Sequence, residues 1–331
     1  MAGFEILDAV EKIDALLAAA DHAEFPAWDD HPLYGRFGRN LGAAINADRQ
    51  RHTSAHFAVV DNGVPIVLVP ATYDDDAVSM YGHPLTLAMR NGLGRKRQKQ
   101  AFAAAFERLR QVACEHAVKR IRILGTDSGN PLQAVDLACI DQRASPQSHI
   151  HGVVDTVHDE QSIHRQLRDS YRSLVNWGRE QLEQVYINAD NPDRKRFDLY
   201  PAFHEKIAGA AHYNDAYWDT YWNDIVNGRG ELSLGFLSDG QLVTGTMVID
   251  AAATAYYASG VYERELFDKP LGHFPVFDSI VRAGQRGMTR YDLGEIYPDG
   301  AASEKEVQIG FFKKGFTSTF VLRTVWVLDT P

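Results

Sequence analysis

The sequence is short of cysteine, and this shortage excludes one class of protein. Its 331 residues include two cysteines, Cys114 and Cys139, and neither belongs to a Cys-x-x-Cys pair. A small secreted domain stapled by disulfides is therefore excluded, and so is a paired-thiol redox motif. Because Cys114 lies in an apolar helical pattern, we expect the thiols to be buried and structural, in a reducing compartment.

The sequence also lacks a long apolar run, a signal peptide and an excess of basic charge. No run approaches the length of a membrane-spanning helix, and the opening residues mix acidic with apolar side chains as an amphipathic helix does. We therefore expect a cytoplasmic protein without a membrane span. The formal net charge is −10, which argues against a nucleic-acid-binding module because such a surface repels nucleic acid.

One segment departs from this acidic average. Residues 90–99 read RNGLGRKRQK and hold five basic side chains. A basic segment on an acidic protein is suited to bind a phosphate-bearing substrate, but it also suits a solvated loop that enters the next helix. The residues alone do not decide between these two interpretations.

Common catalytic and metal-binding motifs are missing as well. There is no GxSxG nucleophile elbow, no Walker loop and no Rossmann fingerprint. His149 and His151 form a His-Ile-His pair without a cysteine or carboxylate cluster at metal-ligand spacing, so the sequence predicts no metal site. The acidic run 74–76 lacks the residues that would follow in a calcium loop.

What the sequence does contain is a weak internal repeat. Two β-prone runs are joined by Asp-Asn-Gly at Gly63, and two more are joined by Ser-Asp-Gly at Gly240, 177 residues later. Such turns are typical of β-hairpins. Each half then continues with a third strand, a helix and a short strand that ends on glycine: 77–82, 102–116 and Gly125 in the first half, and 254–260, 274–286 and Gly294 in the second.

This order predicts two tandem α/β (α+β) domains, each a mixed and largely antiparallel sheet flanked by helices. The pattern changes near 145–153, so we place the domains at 1–150 and 151–317. Before the second hairpin we predict a helix over 159–184 and two further helices rich in aromatic residues. An alternating strand over 318–331 follows the second domain and must pair with another strand.

Five segments resemble a known family. They are RQLRDSYRSLVNWGREQ, the hairpin GELSLGFLSDGQLVTGTMVI with YYASG, PLGHFPVFDSIVRAGQRGMTRYDLGEI, GFFKKGF, and MYGHPLT in the first half. In this order they resemble the FemAB/FemX-like branch of the GNAT acyltransferase superfamily. The resemblance implies a tandem GNAT fold, N-acyltransferase or aminoacyltransferase activity, a catalytic second domain, and a final strand that returns to the first domain.

The acyl donor remains open between aminoacyl-tRNA and acyl-CoA. The Gln/Arg-x-x-Gly-x-Gly/Ala phosphate loop of acetyl-CoA-using GNAT enzymes is absent, and residues 91–94, NGLG, match it only in part. Relatives without that loop often use aminoacyl-tRNA. We expect either donor to serve as a co-substrate, with no tightly bound cofactor. The resemblance implies as acceptor an amine of a sugar nucleotide, cell-wall precursor or small metabolite, and the alternative is a non-catalytic ligand-binding protein.

Four residues are candidates for catalysis. The resemblance places Lys313 on the family's Phe-Lys position, where a lysine stabilises a tetrahedral intermediate or neutralises phosphate. Asp292 and Glu295 flank the glycine of the Asp-Leu-Gly corner, where a desolvated carboxylate is suited to act as general base. His273 begins a helix and is placed to contact substrate or to cap that helix. The alternatives are a surface role for Lys313 and turn capping or exposure for the carboxylates.

Seven residues are candidates for substrate binding. Arg168 and Arg172 are four apart and are predicted to share a helix face, where they would clamp an anion or pair with nearby acids. Tyr256 and Tyr257 adjoin on a strand, so one should face the core and the other the cleft. We expect segments 247–250 and 256–260 to splay and offer backbone N–H groups to the donor. The remaining candidates are Phe312, Tyr81 and His83.

Overall fold

The computed structural model describes residues 4–297 and 302–330, and the chain divides into two compact units. The first unit comprises residues 1–149 and 322–331, and the second comprises residues 150–321. The predicted domain limits, taken as the limits of independently folding parts, stay a prediction. Within the described residues, no helix is both long and apolar enough to span a membrane.

The first unit is built from short strands and four α-helices within its described residues. Its elements are β1 (Glu5–Leu7), α1 (Val10–Ala19), α2 (Arg36–Arg49), β2 (Thr53–Ser54), β3 (Phe57–Asp61), β4 (Val64–Val69), β5 (Thr72–Tyr73), β6 (Ala77–Ser79), β7 (Ala88–Met89), α3 (Arg95–Glu115), β8 (Arg120–Asp127) and α4 (Ala134–Asp141). The predicted hairpin is β3–β4, and its turn residues Asn62 and Gly63 have φ values of +49° and +79°. This left-handed pair suits a tight hairpin turn.

Pro70 separates two groups of strands in the first unit. Strands β1, β3, β4 and β7 form one antiparallel sheet in that order, whereas β2, β5, β6 and β8 belong to a second sheet. Proline has no N–H to donate to a ladder, and the chain bends here as the Ala71 amide bonds the Val69 carbonyl. The core packs α3 against both groups through residues such as Phe102 and Phe106.

Two strands link the units along the chain. They are β9 (Ser145–Asp155), which the sequence pattern did not predict, and the terminal β15 (Thr319–Asp329). Residues 323–329 of β15 pair antiparallel with β8 in the first unit. Trp326 anchors this strand, because its indole nitrogen donates a buried hydrogen bond of 2.9 Å to the Asp136 carboxylate.

The second unit has longer strands and a more continuous sheet. Its elements are α5 (Glu160–Gln166), α6 (Asp169–Gln181), β10 (Glu183–Ile187), α7 (Arg194–Phe197), α8 (Leu199–Ala208), α9 (Asp215–Val226), β11 (Gly230–Phe236), β12 (Leu242–Ala251), β13 (Thr254–Tyr262), α10 (His273–Gln285), β14 (Arg290–Glu295) and α11 (Glu304–Lys313). The strand order is β10-β11-β12-β13-β14-β9, with only β13–β14 parallel. Both units are therefore mixed α/β structures with largely antiparallel sheets, as predicted.

Several local predictions were wrong. The predicted helix over 159–184 is two helices and a strand, because the Arg168 amide bonds the Gly315 carbonyl at 2.9 Å and leaves the helical pattern. Helix α3 begins at Arg95, seven residues before the predicted start. Cys139 is buried, but Cys114 is exposed, because its position in α3 faces away from the core.

Candidate active site

An opening between two strands lies at the centre of the second unit. Strands β13 and β14 pair over three positions, from Thr254 with Arg290 to Tyr256 with Asp292. Beyond these residues β13 continues along β12 and β14 along β9, without further pairing between β13 and β14. The splay thus lies between β13 and β14, whereas the segments 247–250 and 256–260, where we predicted it, pair with each other around a bulge. Unpaired strand edges present backbone donors and acceptors to a ligand.

Lys313 lies at this opening. It is the last residue of α11, and its ammonium donates a hydrogen bond of 3.1 Å to the Glu295 carbonyl at the end of β14. Burial lowers the pKa of Lys313 to about 8, while the negative charges of Asp292 and Glu295 act to raise it. An amine with this pKa is largely charged at neutral pH and readily gives up its proton.

Gly294 makes this arrangement possible. Its φ is +83°, a left-handed conformation that side chains disfavour. A Cβ at this position would lie 3.0 Å from Nζ of Lys313 and 3.7 Å from the hydroxyl of Tyr256. The glycine therefore gives both the backbone turn and the space into which the lysine and the tyrosine reach.

Asp292 faces a buried histidine. Its side chain is fully buried, and one carboxylate oxygen accepts a hydrogen bond of 2.6 Å from the Gly294 amide. Nδ1 of His151 lies 3.1 and 3.2 Å from the two carboxylate oxygens. The carboxylate thus caps the turn at Gly294, which was the predicted alternative to a general base, and it also contacts His151.

His151 is the site residue that sequence reasoning missed. The His-Ile-His pair was weighed only as a metal site, and its partner Asp292 is 141 residues away. Among the described residues, no group of histidine, cysteine and carboxylate side chains is arranged to hold a metal ion. The available signal was the alternation of β9, which places His151 and Val153 on one face of a strand.

Phe312 and His273 belong to an aromatic cluster. The His273 ring lies 4.4 Å from Tyr171 and 5.3 Å from Phe312, in edge-on contacts. Burial lowers the pKa of His273, which favours the neutral imidazole. His273 begins α10 as predicted, and the Tyr171 hydroxyl donates to the Phe312 carbonyl at 3.2 Å. The cluster fixes the end of α11 that carries Lys313.

Tyr256 and Tyr257 have different surroundings, as their adjacent positions on β13 predicted. Tyr256 lies beside Gly294 in the opening. Tyr257 packs against the core, and its hydroxyl is 2.7 Å from that of Tyr262. Burial raises the pKa of Tyr257 well above its ordinary value, so its hydroxyl stays protonated. Of the two, Tyr256 is the one placed to meet a ligand.

Arg168 and Arg172 do not share a helix face. Arg168 precedes α6 in an extended conformation, and its guanidinium lies 4.2 Å from the Phe311 ring. Arg172 bonds the carbonyls of Arg165 and Leu167 and therefore caps α5. Of the two predicted alternatives, pairing with a nearby acid is confirmed for Arg172, which lies 3.2 Å from Asp169, and the anion clamp is absent because the chain breaks between α5 and α6.

Tyr81 and His83 lie in the first unit, beside a cavity of about 190 Å³ that His52 also lines. Tyr81 has a φ of +51°, and burial raises the pKa of its hydroxyl. The Tyr81 ring packs on Gly42, where a Cβ would lie 2.6 Å from the ring. A bulky residue held in this strained conformation is typical of functional positions.

The basic segment 90–99 is largely matched by acids. Arg90 pairs with Glu24 at 3.0 Å, Arg97 pairs with Asp61, and Lys99 pairs with Asp141 at 2.8 Å. Its second half forms the first turns of α3 and is not a loop. These pairs favour a structural role for the segment over a phosphate site.

Comparison with known proteins gives structural likenesses. No family model matches the sequence, and no curated protein matches it. FemX superposes with a TM-score of 0.66 at 12% identity, over 98% of this chain and 97% of that chain. L-PGS from Bacillus licheniformis gives a TM-score of 0.58 at 10% identity, over 98% and 93% of the two chains.

A third structure extends the comparison. A tandem GNAT protein from the clavulanic acid biosynthesis pathway gives a TM-score of 0.54 at 14% identity, over 98% of each chain. At such identities the likeness shows the fold alone. The chain has the tandem GNAT fold that FemX shares, and the predicted resemblance to the FemAB/FemX-like branch is confirmed at the level of the fold.

Proposed function

We propose that this protein is an N-acyltransferase whose second unit carries the chemistry. It moves an acyl or aminoacyl group from acyl-CoA or aminoacyl-tRNA to an amine on a sugar nucleotide, a cell-wall precursor or a small metabolite. The observation that carries the proposal is the β13–β14 opening with the Lys313 ammonium at its end, 3.1 Å from the Glu295 carbonyl.

The reaction requires a held carbonyl, a stabilised oxyanion and a proton for the leaving group. In our proposal the donor lies between β13 and β14, where the two strands no longer pair with each other. The acceptor nitrogen attacks the ester or thioester carbon, and the Lys313 ammonium stabilises the oxyanion that forms. As the C–O or C–S bond breaks, Lys313 gives its proton to the departing oxygen or sulfur, and the proton lost by the new amide nitrogen restores the ammonium. Its lowered pKa supports this transfer.

The likeness to known proteins supports the class of reaction. FemX, L-PGS and the tandem GNAT protein share the fold over nearly the whole chain. The missing phosphate loop favours aminoacyl-tRNA over acyl-CoA as donor. A cytoplasmic location belongs to the same proposal, because both donors are cytoplasmic molecules.

The test is a transfer assay with each donor. The protein is incubated with labelled acetyl-CoA or with a labelled aminoacyl-tRNA pool, together with a small-molecule cell extract, and label in a new product is measured. Removing one oxyanion donor costs about 10²–10³-fold in rate, so we expect Lys313→Met to lose that much. The matched control is Lys314→Met, which changes the exposed neighbouring lysine.

Two results would contradict the proposal. Transfer from neither donor would leave a ligand-binding protein as the better interpretation. Equal rates for Lys313→Met and Lys314→Met would remove Lys313 from the mechanism and return it to a surface role. Circular dichroism of both variants checks that each is folded.

A further inference from the structure

The pair of His151 and Asp292 is built like part of a catalytic site. His151 is 1% exposed and Asp292 is fully buried, so both side chains are removed from water. Nδ1 of His151 faces the carboxylate at 3.1 and 3.2 Å. Nε2 has no hydrogen-bond partner among residues 4–297 and 302–330, although it is buried. Buried polar atoms are nearly always paired, so this one calls for an explanation.

The pair lies beside the opening already described. In the antiparallel register of β9 and β14, His151 is directly opposite Glu295, whose carbonyl receives the Lys313 ammonium. Antiparallel partners of this kind have Cα atoms about 4.5–5.5 Å apart. His151 is therefore next to Asp292 and Glu295 on β14, and the charges of the same two carboxylates act on Lys313.

The carboxylate determines which ring nitrogen accepts a proton. An ionised Asp292 accepts a hydrogen bond from Nδ1–H, so the neutral ring carries its lone pair on Nε2. Carboxylate and imidazole act in this way in hydrolases, where the oriented ring takes a proton from the nucleophile. The buried Nε2, which has no partner among the described residues, is then placed to accept a hydrogen bond from an N–H group of a substrate.

We propose that His151 is the general base of the acyl transfer, with Asp292 as its positioning residue. Nε2 takes one proton from the acceptor ammonium, the freed nitrogen attacks the donor carbonyl, and a C–N bond forms. The C–O or C–S bond then breaks, and the leaving atom takes its proton from Lys313. The new C–N nitrogen passes its remaining extra proton to the Lys313 amine, which restores the ammonium, and release of the His151 proton to solvent restores the base. This inference rests on the proposed function.

Two substitutions distinguish a base from a structural role. His151→Asn places an amide near the position of Nδ1 and keeps a donor for Asp292, but it removes Nε2. A general base contributes about 10²–10⁴-fold, so we expect His151→Asn to lose at least a hundredfold in kcat. The matched control is His158→Asn, which changes a histidine of an exposed histidine–aspartate pair in the same unit.

The pH profile and a second acceptor give readouts that folding does not change. In the wild type, kcat/KM should fall at acid pH, and it should fall again as the pH rises through the Lys313 pKa of about 8. In His151→Asn the acid fall should be replaced by a continuous rise with pH, because hydroxide then removes the proton, up to the range where Lys313 loses its own proton. Hydroxylamine is already neutral at neutral pH and needs no base, so as acceptor in place of an alkylamine it should restore most of the lost rate.

The outcomes separate this inference from the proposed function. If the wild type transfers from neither donor, the proposed function fails. If the wild type is active and His151→Asn keeps its rate and its pH profile, His151 is only structural and the inference alone is overturned. An equal loss with hydroxylamine and with alkylamine also overturns it. A wild-type profile without an acid limb does the same.

Discussion

The two units repeat the same order of elements, but they differ at one strand edge. In the first unit β6 pairs with β8 over two positions, and Leu85 then takes the next place on β8. The Leu85 amide bonds the Arg122 carbonyl at 2.8 Å, and the Leu85 carbonyl receives the Leu124 amide at 2.8 Å. In the second unit β13 leaves β14 after Tyr256, and no strand of the described residues takes its place.

This difference supports the proposal that the second unit carries the chemistry. In the first unit, Leu85 bonds the Arg122 carbonyl and the Leu124 amide on the edge of β8. In the second unit, no strand of the described residues pairs with this edge of β14 beyond Asp292, and Lys313 lies at its end. The two units repeat one fold, and they differ in what pairs with one edge of one strand, β8 in the first unit and β14 in the second. The following predictions test this contrast.

We expect the largest effect at the edge of β8, with which Leu85 pairs. Leu85 is fully buried, so Leu85→Ala leaves a cavity beneath the chain that covers β8. Such a change costs about 2–5 kcal/mol of unfolding free energy, to be measured by urea denaturation. The control is Leu132→Ala, whose side chain is 57% exposed. A loss at Leu85 no larger than at Leu132 would contradict the role given to this residue.

We expect the next largest effect at the edge of β14, beyond the point where β13 stops pairing with it. Gly294→Ala imposes left-handed strain and pushes a Cβ to 3.0 Å from the Lys313 nitrogen, so we expect kcat to fall by about a hundredfold, of the order found for a lost oxyanion donor. Gly240→Ala is the matched control, because its φ is +82° and nothing lies within 4 Å of its Cβ position. Both changes should cost about 1–2 kcal/mol of stability. Equal activity in the two variants would show that the space at Gly294 is unimportant.

A smaller effect is expected in the pH dependence. In the proposed mechanism Lys313 acts as an ammonium, and its pKa is about 8, so activity should fall as the pH rises through that value. The Asp292 charge acts to raise this pKa, and therefore Asp292→Asn should move the basic limb to lower pH. Lys313→Arg keeps its positive charge over this whole pH range, so the activity of this variant should no longer fall at basic pH. If the activity of Lys313→Arg still falls at the same basic pH, the titrating group is not Lys313.

The smallest effect is expected in the first unit. If the cavity beside Tyr81 binds part of the acceptor, Tyr81→Phe removes one hydrogen bond of about 0.5–1.5 kcal/mol. KM should then rise by about tenfold or less while kcat is unchanged. Tyr73→Phe, at a tyrosine stacked on His116, is the control. A fall in kcat at Tyr81 would instead give the first unit a part in the chemistry.

Local signals in the sequence predicted much of this fold. The turns at Gly63 and Gly240 fixed both hairpins, and the apolar period of 274–286 predicted α10 closely. Strands β9 and β10 were missed because they carry polar residues and depend on their neighbours for pairing. The break at Arg168 was missed for the same reason, since the Gly315 carbonyl that causes it lies far away in the chain.

The candidate site was predictable only where a motif marked it. Lys313 was found through a resemblance, and the Asp-Leu-Gly corner drew attention to Asp292. Nothing near His151 in the sequence indicates its carboxylate partner, because the register of β9 against β14 brings them together. The opening itself was placed one strand away from its true position, because a sequence does not show where two strands stop pairing.

The pairing of β15 with β8 sets an order for folding during synthesis. Arg323 meets Asp127 across this pair, 196 residues after it in the chain. At about 5–20 residues per second, a ribosome needs roughly 10–40 s to make that interval. For that time β8 is present in the nascent chain without this neighbour. One edge of β8 therefore stays open to other strands until residues 323–329 have been translated.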